Sequence, residues 1–229
     1  MNNYKKTKMR VKFLSHFINQ NTPLYGNRGE IKIERISSIL NGNVANNTIL
    51  SSTLHLGTHI DMPYHFFEDG QKLKKFPAEF WVFTKPLIIE IKPKNLIIKD
   101  ELIQKLKDYR DEYDLLIVKT GICNIRNSEK FWSENFGFAP ELADYIRENF
   151  SKIRVFGFDS ISVSSFSDRM SGREAHKAFL NPKQPLILLE DMNLLEVDEN
   201  LKFEKIVVAP LLVEDSDGLP CTVLGIQSE

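Results

Sequence analysis

The sequence predicts a single α/β domain over residues 1–229, built on a β-rich mixed sheet with βαβ units. Three observations lead there. Strand-type and helix-type patterns alternate through the middle of the chain, which is how crossover helices join parallel strands. Further strand-like runs follow in the tail, so strand outweighs helix. With 229 residues and 42% hydrophobic content, the chain suits one medium-sized core, and no internal repeat or long linker divides it.

Residues 1–12 are expected to form a flexible N-terminal tail. From there to Tyr64 the chain is irregular, punctuated by Asn21-Thr22-Pro23, Tyr25-Gly26-Asn27 and Asn41-Gly42-Asn43. Strand-like runs at Ile31–Ile36 and Ile49–Leu54 make this part β-rich. Pro86–Ile91 reads as a strand. Asp100 is placed to cap a helix through Lys107, with Leu102, Ile103 and Leu106 at helical spacing. Leu115–Val118 is a buried strand ending at Lys119-Thr120-Gly121. Pro140 suits the first turn of a helix to about Asn149. Arg154–Asp159 returns as a strand, and Leu186–Leu189, Ile206–Ala209 and Cys221–Gly225 complete the set.

Three of the five histidines fall in one stretch, His55-Leu56-Gly57-Thr58-His59-Ile60-Asp61-Met62-Pro63-Tyr64-His65. Read as an extended strand, His55, His59, Asp61 and His65 share one face, and Leu56, Thr58, Ile60, Met62 and Tyr64 share the other. A helix would separate them, and Gly57 and Pro63 disfavour one. Gly57 on the ligand face would leave room for an ion. Two imidazoles and a carboxylate suit zinc and similar divalent ions and leave coordination positions open.

The pattern His55-x-Gly57-Thr58-His59-x-Asp61-x-Pro63-x-His65 resembles the signature of the cyclase family of metal-dependent hydrolases, which includes bacterial kynurenine formamidases and isatin hydrolases. Looser similarity runs from about Leu14 to Gly225. The resemblance implies a swivelling β/β/α arrangement and one or two divalent ions per chain, zinc first and manganese as the alternative. It implies that His55, His59 and Asp61 hold one ion, and that Asp61, His176 and Glu190 hold the second. Alone, His176 in Arg173–Lys177 would read as a structural histidine on a short helix, and Glu190 as a solvated strand end. His65 remains for proton transfer, with a further ligand role as its alternative. The interval from His176 to Glu190 is longer than the family's. Tyr25 stands where formamidases carry an aromatic that stacks on the substrate ring, and Ala175-His176 replaces a histidine pair. These departures loosen the link to an aryl formamide but not to metal-dependent hydrolysis.

The expected reaction is attack of ion-activated water on the carbonyl of a small amide, cyclic amide or lactone, with His65 moving the proton. A lyase or dehydratase acting on a hydroxylated carbonyl compound, and a non-catalytic metal-stabilised binding domain, are the alternatives. No Gly-x-Ser-x-Gly elbow, phosphate loop or dinucleotide fingerprint offers another chemistry. Thirty basic and 31 acidic residues nearly cancel, so nucleic acid and anionic membrane are not expected partners. No run of about 18 apolar residues would span a bilayer. Lys5–Leu14 imitates a signal peptide only briefly, since Lys12 and His16 interrupt the apolar stretch. Cys123 and Cys221, far apart, read as packing residues of a reduced compartment, so a cytoplasmic location is expected. The family resemblance further implies a homo-oligomer, commonly a dimer, acting on a small molecule.

Overall fold

A strand that is apolar at every position must be covered on both faces, and Leu115–Val118 is such a run. In the computed structural model, which describes residues 9–227, it lies inside a nine-stranded mixed sheet. Along the chain come β1 Arg10–Phe13, β2 Lys32–Ser37, β3 Asn47–Ser51, β4 His59–Asp61, β5 Val82–Phe83, β6 Pro86–Glu90 and β7 Ile97–Ile98. They are followed by β8 Leu115–Lys119, β9 Gly137–Phe138, β10 Val155–Phe158, β11 Ile187–Glu190, β12 Lys205–Pro210 and β13 Gly218–Gln227. The helices are α1 Asp100–Leu106, α2 Lys130–Ser133, α3 Glu141–Asn149 and α4 Arg169–Phe179. The sheet runs β5-β12-β13-β4-β11-β10-β8-β6 with β1 also on β13, while β2–β3 and β7–β9 pair separately.

Alternation along the strands builds two apolar layers. Leu116, Val118, Phe156, Phe158 and Leu188 pack under the helices against Leu102, Leu142, Ile146 and Phe179. Leu115, Ile117, Val155, Ile187 and Leu189 face the other way, onto Ile60, Leu219 and Val223. Each such side chain contributes about 1.5–3 kcal/mol by leaving water. Strands β6, β8, β10 and β11 are parallel, connected through α1, α3 and α4 as βαβ crossovers. Then β4 enters antiparallel between β11 and β13. The motif strand thus sits where the parallel half of the sheet meets the antiparallel half.

Three expectations are corrected. Residues 10–12 are not a tail: they begin β1, which pairs with β13 from Arg10–Gln227 to Phe13–Leu224. The reason is that β4 stops pairing with β13 at Pro220, leaving an edge of β13 that β1 satisfies. The first eight residues of the expected tail lie outside the described residues. Asp100 is the first helical residue of α1 rather than its cap, which is Lys99, and its charge favours the helix N-terminus. Finally, the histidine motif is a strand only over His59–Asp61. Gly57 turns the chain at φ 59°, and Pro63 opens a 3₁₀ turn over Pro63–His65, where its missing N–H costs nothing.

Candidate metal centre

The sheet register explains why distant residues meet. His59 on β4 lies opposite Glu190 on β11, and Asp61 follows two residues later on the same face. The Gly57 turn carries His55 back over that face, the 3₁₀ turn after β4 brings His65 to it, and α4 lowers His176 onto it. Ligand atoms of His55, His59 and Asp61 lie within 4.8 Å of one another, as do those of Asp61, His65 and His176. Glu190 closes the cluster, with Oε2 3.4 Å from His59 Nε2 and Oε1 3.9 Å from His176 Nε2.

Each of the three predicted histidine ligands has one ring nitrogen pinned by an oxygen that can only accept. His59 Nδ1 donates to the Gly57 carbonyl at 2.8 Å. His176 Nδ1 donates to the Gly172 carbonyl at 2.8 Å, with the Ser164 hydroxyl 3.2 Å away. His55 Nε2 donates to Asp217 Oδ2 at 2.9 Å. The other nitrogen of every ring then faces Asp61: His55 Nδ1 at 2.8 Å, His59 Nε2 and His176 Nε2 at 3.4 Å. A pinned tautomer with the second nitrogen aimed inward is how proteins orient imidazoles for a metal.

The environment of Asp61 fits a metal ion. Its side chain is 1% exposed, and Oδ1, though close to His55 and His59, is out of line for a hydrogen bond from either. A buried carboxylate oxygen with no donor, ringed by imidazole nitrogens, matches the needs of a divalent cation. The charges agree. Burial alone would push the His55 pKa down, but Asp61 and Asp217 raise it to about 9. Burial is likewise outweighed at His59 and His176, both raised by Asp61 and Glu190. Against its own burial, Asp61 is held well below 3.8 by His55, His176 and His59. Without a cation the imidazoles must carry the positive charge that these acids require. A divalent ion supplies it and leaves them neutral.

The structure brings His55, His59, Asp61, His176 and Glu190 to one point, with His65 beside them. The His65 ring centroid is 4.2 Å from that of His55, and its Nδ1 donates to Asp217 Oδ2 at 3.1 Å. Tyr25 lines the same cavity of about 290 Å³, together with Phe66, Arg169 and Arg173. Gly57 does not make room for an ion as expected. A Cβ there would meet Ile18 and Thr22, and the residue serves through its turn and its carbonyl. Asp217 escaped sequence reasoning, since Asp217-Gly218 reads only as a turn. Ser164 and the buried Arg126–Asp191 pair behind the motif escaped it too.

Fold and site together define an α/β protein with a buried histidine–carboxylate centre for divalent metal. The chain belongs to the Cyclase family: residues 13–165 match its model, described as "Putative cyclase". It is 28% identical over 177 residues to a kynurenine formamidase of Bacillus cereus, covering 75% of each chain. It is 22% identical to Cyclase-like protein 2 of Oryza sativa subsp. japonica, covering 95% of this chain and 79% of that one. Among solved structures, a potential metal-dependent hydrolase with cyclase activity superposes with a TM-score of 0.77 at 24% identity, covering 96% of this chain and 99% of the other. Isatin hydrolase A from Labrenzia aggregata bound to benzyl benzoate gives 0.78 at 19% identity, covering 96% and 94%. These two structures share the fold.

Proposed function

We propose that this protein is a metal-dependent hydrolase acting on a carbon–nitrogen bond of a small amide or cyclic amide, or on a lactone, with an aryl formamide as the leading candidate. The observation that carries the reading is the donor-less oxygen of Asp61 encircled by oriented imidazole nitrogens at the floor of an open cavity. A purely structural metal site would be closed to water. Relatives named for formamidase and isatin hydrolase activity support the reaction class.

His55, His59 and Asp61 would hold one ion, and Asp61, His176 and Glu190 a second. Zinc suits this mixture of imidazole and carboxylate, and manganese is the alternative where Asp61 is shared. When bound, the ion supplies a Lewis acid that polarises the carbonyl and activates water. The chain does the rest. Asp217 fixes which nitrogen of His55 faces the centre, and Gly57 and Gly172 do so for His59 and His176. His65, held by Asp217 at the rim, takes a proton from the attacking water and returns it to the leaving nitrogen. Tyr25 and Phe66 flank the space for a flat substrate.

We place the protein in the cytoplasm as a homodimer. Both cysteines are free thiols, as in a reducing compartment, and among the described residues no helix is long and apolar enough to cross a membrane. The β2–β3 hairpin exposes Ile36, Ile49 and Leu50, and a two-stranded hairpin is marginal without cover, which a second copy would supply. The test is hydrolysis of N-formylkynurenine by protein loaded in parallel with zinc and manganese, with sedimentation for the dimer. Turnover that follows metal content supports the reading. Turnover unaffected by chelation contradicts it.

A further inference from the structure

Helix α4 carries more than a metal ligand. Arg169, Arg173 and His176 stand at i, i+4 and i+7, so they share one face, and all three line the cavity. Both arginines are exposed, and their acidic neighbours on the helix are engaged elsewhere. Asp168 caps the helix and accepts from the Ser171 backbone and hydroxyl, and Glu174 pairs with Lys177 at 3.0 Å. Within the cavity Asp191 is taken by Arg126, at 2.8 and 2.6 Å. Asp61 and Glu190 are matched by imidazoles or by a cation. Among the described residues no carboxylate pairs with either guanidinium, so both remain as uncompensated charge at the cavity. The Arg169 guanidinium lies over the Phe166 ring, 5.3 Å from its centroid, and Phe166 packs edge-on against Tyr25. This packing holds Arg169 at the side of the cavity where Tyr25 sits.

We propose that Arg169 and Arg173 form an anion subsite, so that the substrate carries a carboxylate in addition to the bond that is cleaved. The inference rests on the hydrolase reading above. Helix rise puts Arg173 about 4.5 Å and Arg169 about 10.5 Å along the axis from His176, so the carboxylate lies roughly 5–10 Å from the reacting carbonyl. A flat ring between Tyr25 and Phe66 spans that gap. Guanidinium forks suit a carboxylate, to which they can donate two parallel hydrogen bonds.

The test compares (4-formamidophenyl)acetate with its methyl ester, using zinc-loaded wild type, Arg169→Gln, Arg173→Gln and the double variant. The acid is expected to exceed the ester in kcat/KM by about tenfold or more, with each variant reducing that ratio chiefly through KM. Equal turnover of acid and ester, or a ratio unmoved in the double variant, overturns the subsite and leaves the hydrolase reading standing. If neither compound is hydrolysed with zinc bound, it is the hydrolase reading that fails for aryl formamides. The subsite is then decided by calorimetric binding of the acid: about tenfold weaker binding to the double variant supports it, and equal binding overturns it.

Discussion

Asp217 accepts a hydrogen bond from His55 across 162 residues of chain, Oδ2 to Nε2 at 2.9 Å. The contact turns the other nitrogen of His55 onto Asp61. Its backbone is anchored as well, because the Asp217 carbonyl accepts from the Met62 amide at 2.9 Å, beside the motif strand. Asp217→Asn removes the charge that holds this tautomer, and is expected to weaken metal binding by about 10–100-fold. Titration against a metal-sensitive chelator measures it, and wild-type affinity would refute the orienting role.

His65 shares Asp217 but is assigned the proton. His65→Gln should lower kcat by about 10²–10⁴-fold while metal content stays at the wild-type level. Elemental analysis alongside turnover separates the two roles. Loss of metal in this variant would make His65 a ligand.

The pH dependence has a definite sign. The folded pKa of His55 is about 9, above its ordinary 6.5, so its contribution to stability is complete below 6.5 and is lost as pH rises towards 9. Asp61, lowered beneath 3.8, contributes above that value and loses its contribution only in stronger acid. Metal-free protein is therefore expected to lose stability between about pH 6.5 and 9. Metal binding must displace the same proton and so strengthens over that interval. The gap in Tm between loaded and stripped protein should widen from pH 6.5 to 9, as read by differential scanning calorimetry. A gap that narrows would contradict this balance.

Behind the centre, Arg126 and Asp191 form a bidentate pair, with Arg126 9% and Asp191 1% exposed. Removing one partner strands a buried charge. Arg126→Ala is expected to cost about 3–5 kcal/mol in urea unfolding, whereas an exposed pair such as Lys12–Glu196 is expected to cost less than about 1 kcal/mol on loss of its lysine. Similar costs for the two would show that the buried pair is not a fixed element of the fold.

Gly218 on β13 lies opposite Asp61 on β4, and a Cβ there would come within 2.4 Å of the His55 ring. Gly218→Ala should displace His55 and reduce metal affinity, as read by titration against a metal-sensitive chelator. A variant with full affinity would show that His55 can give way without leaving the site.

The sheet was legible because its strands announce themselves: Leu115–Val118 and Leu186–Leu189 are apolar at every position, as strands buried on both faces must be. The site was legible as a list of residue types within eleven residues, but not as a backbone. Period-two alternation predicted one strand, whereas Gly57 and Pro63 fold the ends of the motif over a three-residue strand. That folding, rather than alternation, brings His55 and His65 together. Glu190 joins through the β4–β11 register, a long-range pairing that composition does not encode, and its place came from resemblance. Asp217 was invisible because a carboxylate next to a glycine has no signature until β13 is laid against β4. Arg169 and Arg173 share a helical face with His176, a spacing open to inspection once α4 is known to run eleven residues.

Hydrolysis is proposed to depend on the metal centre that Asp61 organises. Metal content and N-formylkynurenine turnover, measured together in wild type and Asp61→Ala, test it most directly. Wild type is expected to hold one or two ions and to turn over substrate, and the variant to lose both, with the fold retained by circular dichroism. An Asp61→Ala protein that keeps its metal and its full rate would contradict it.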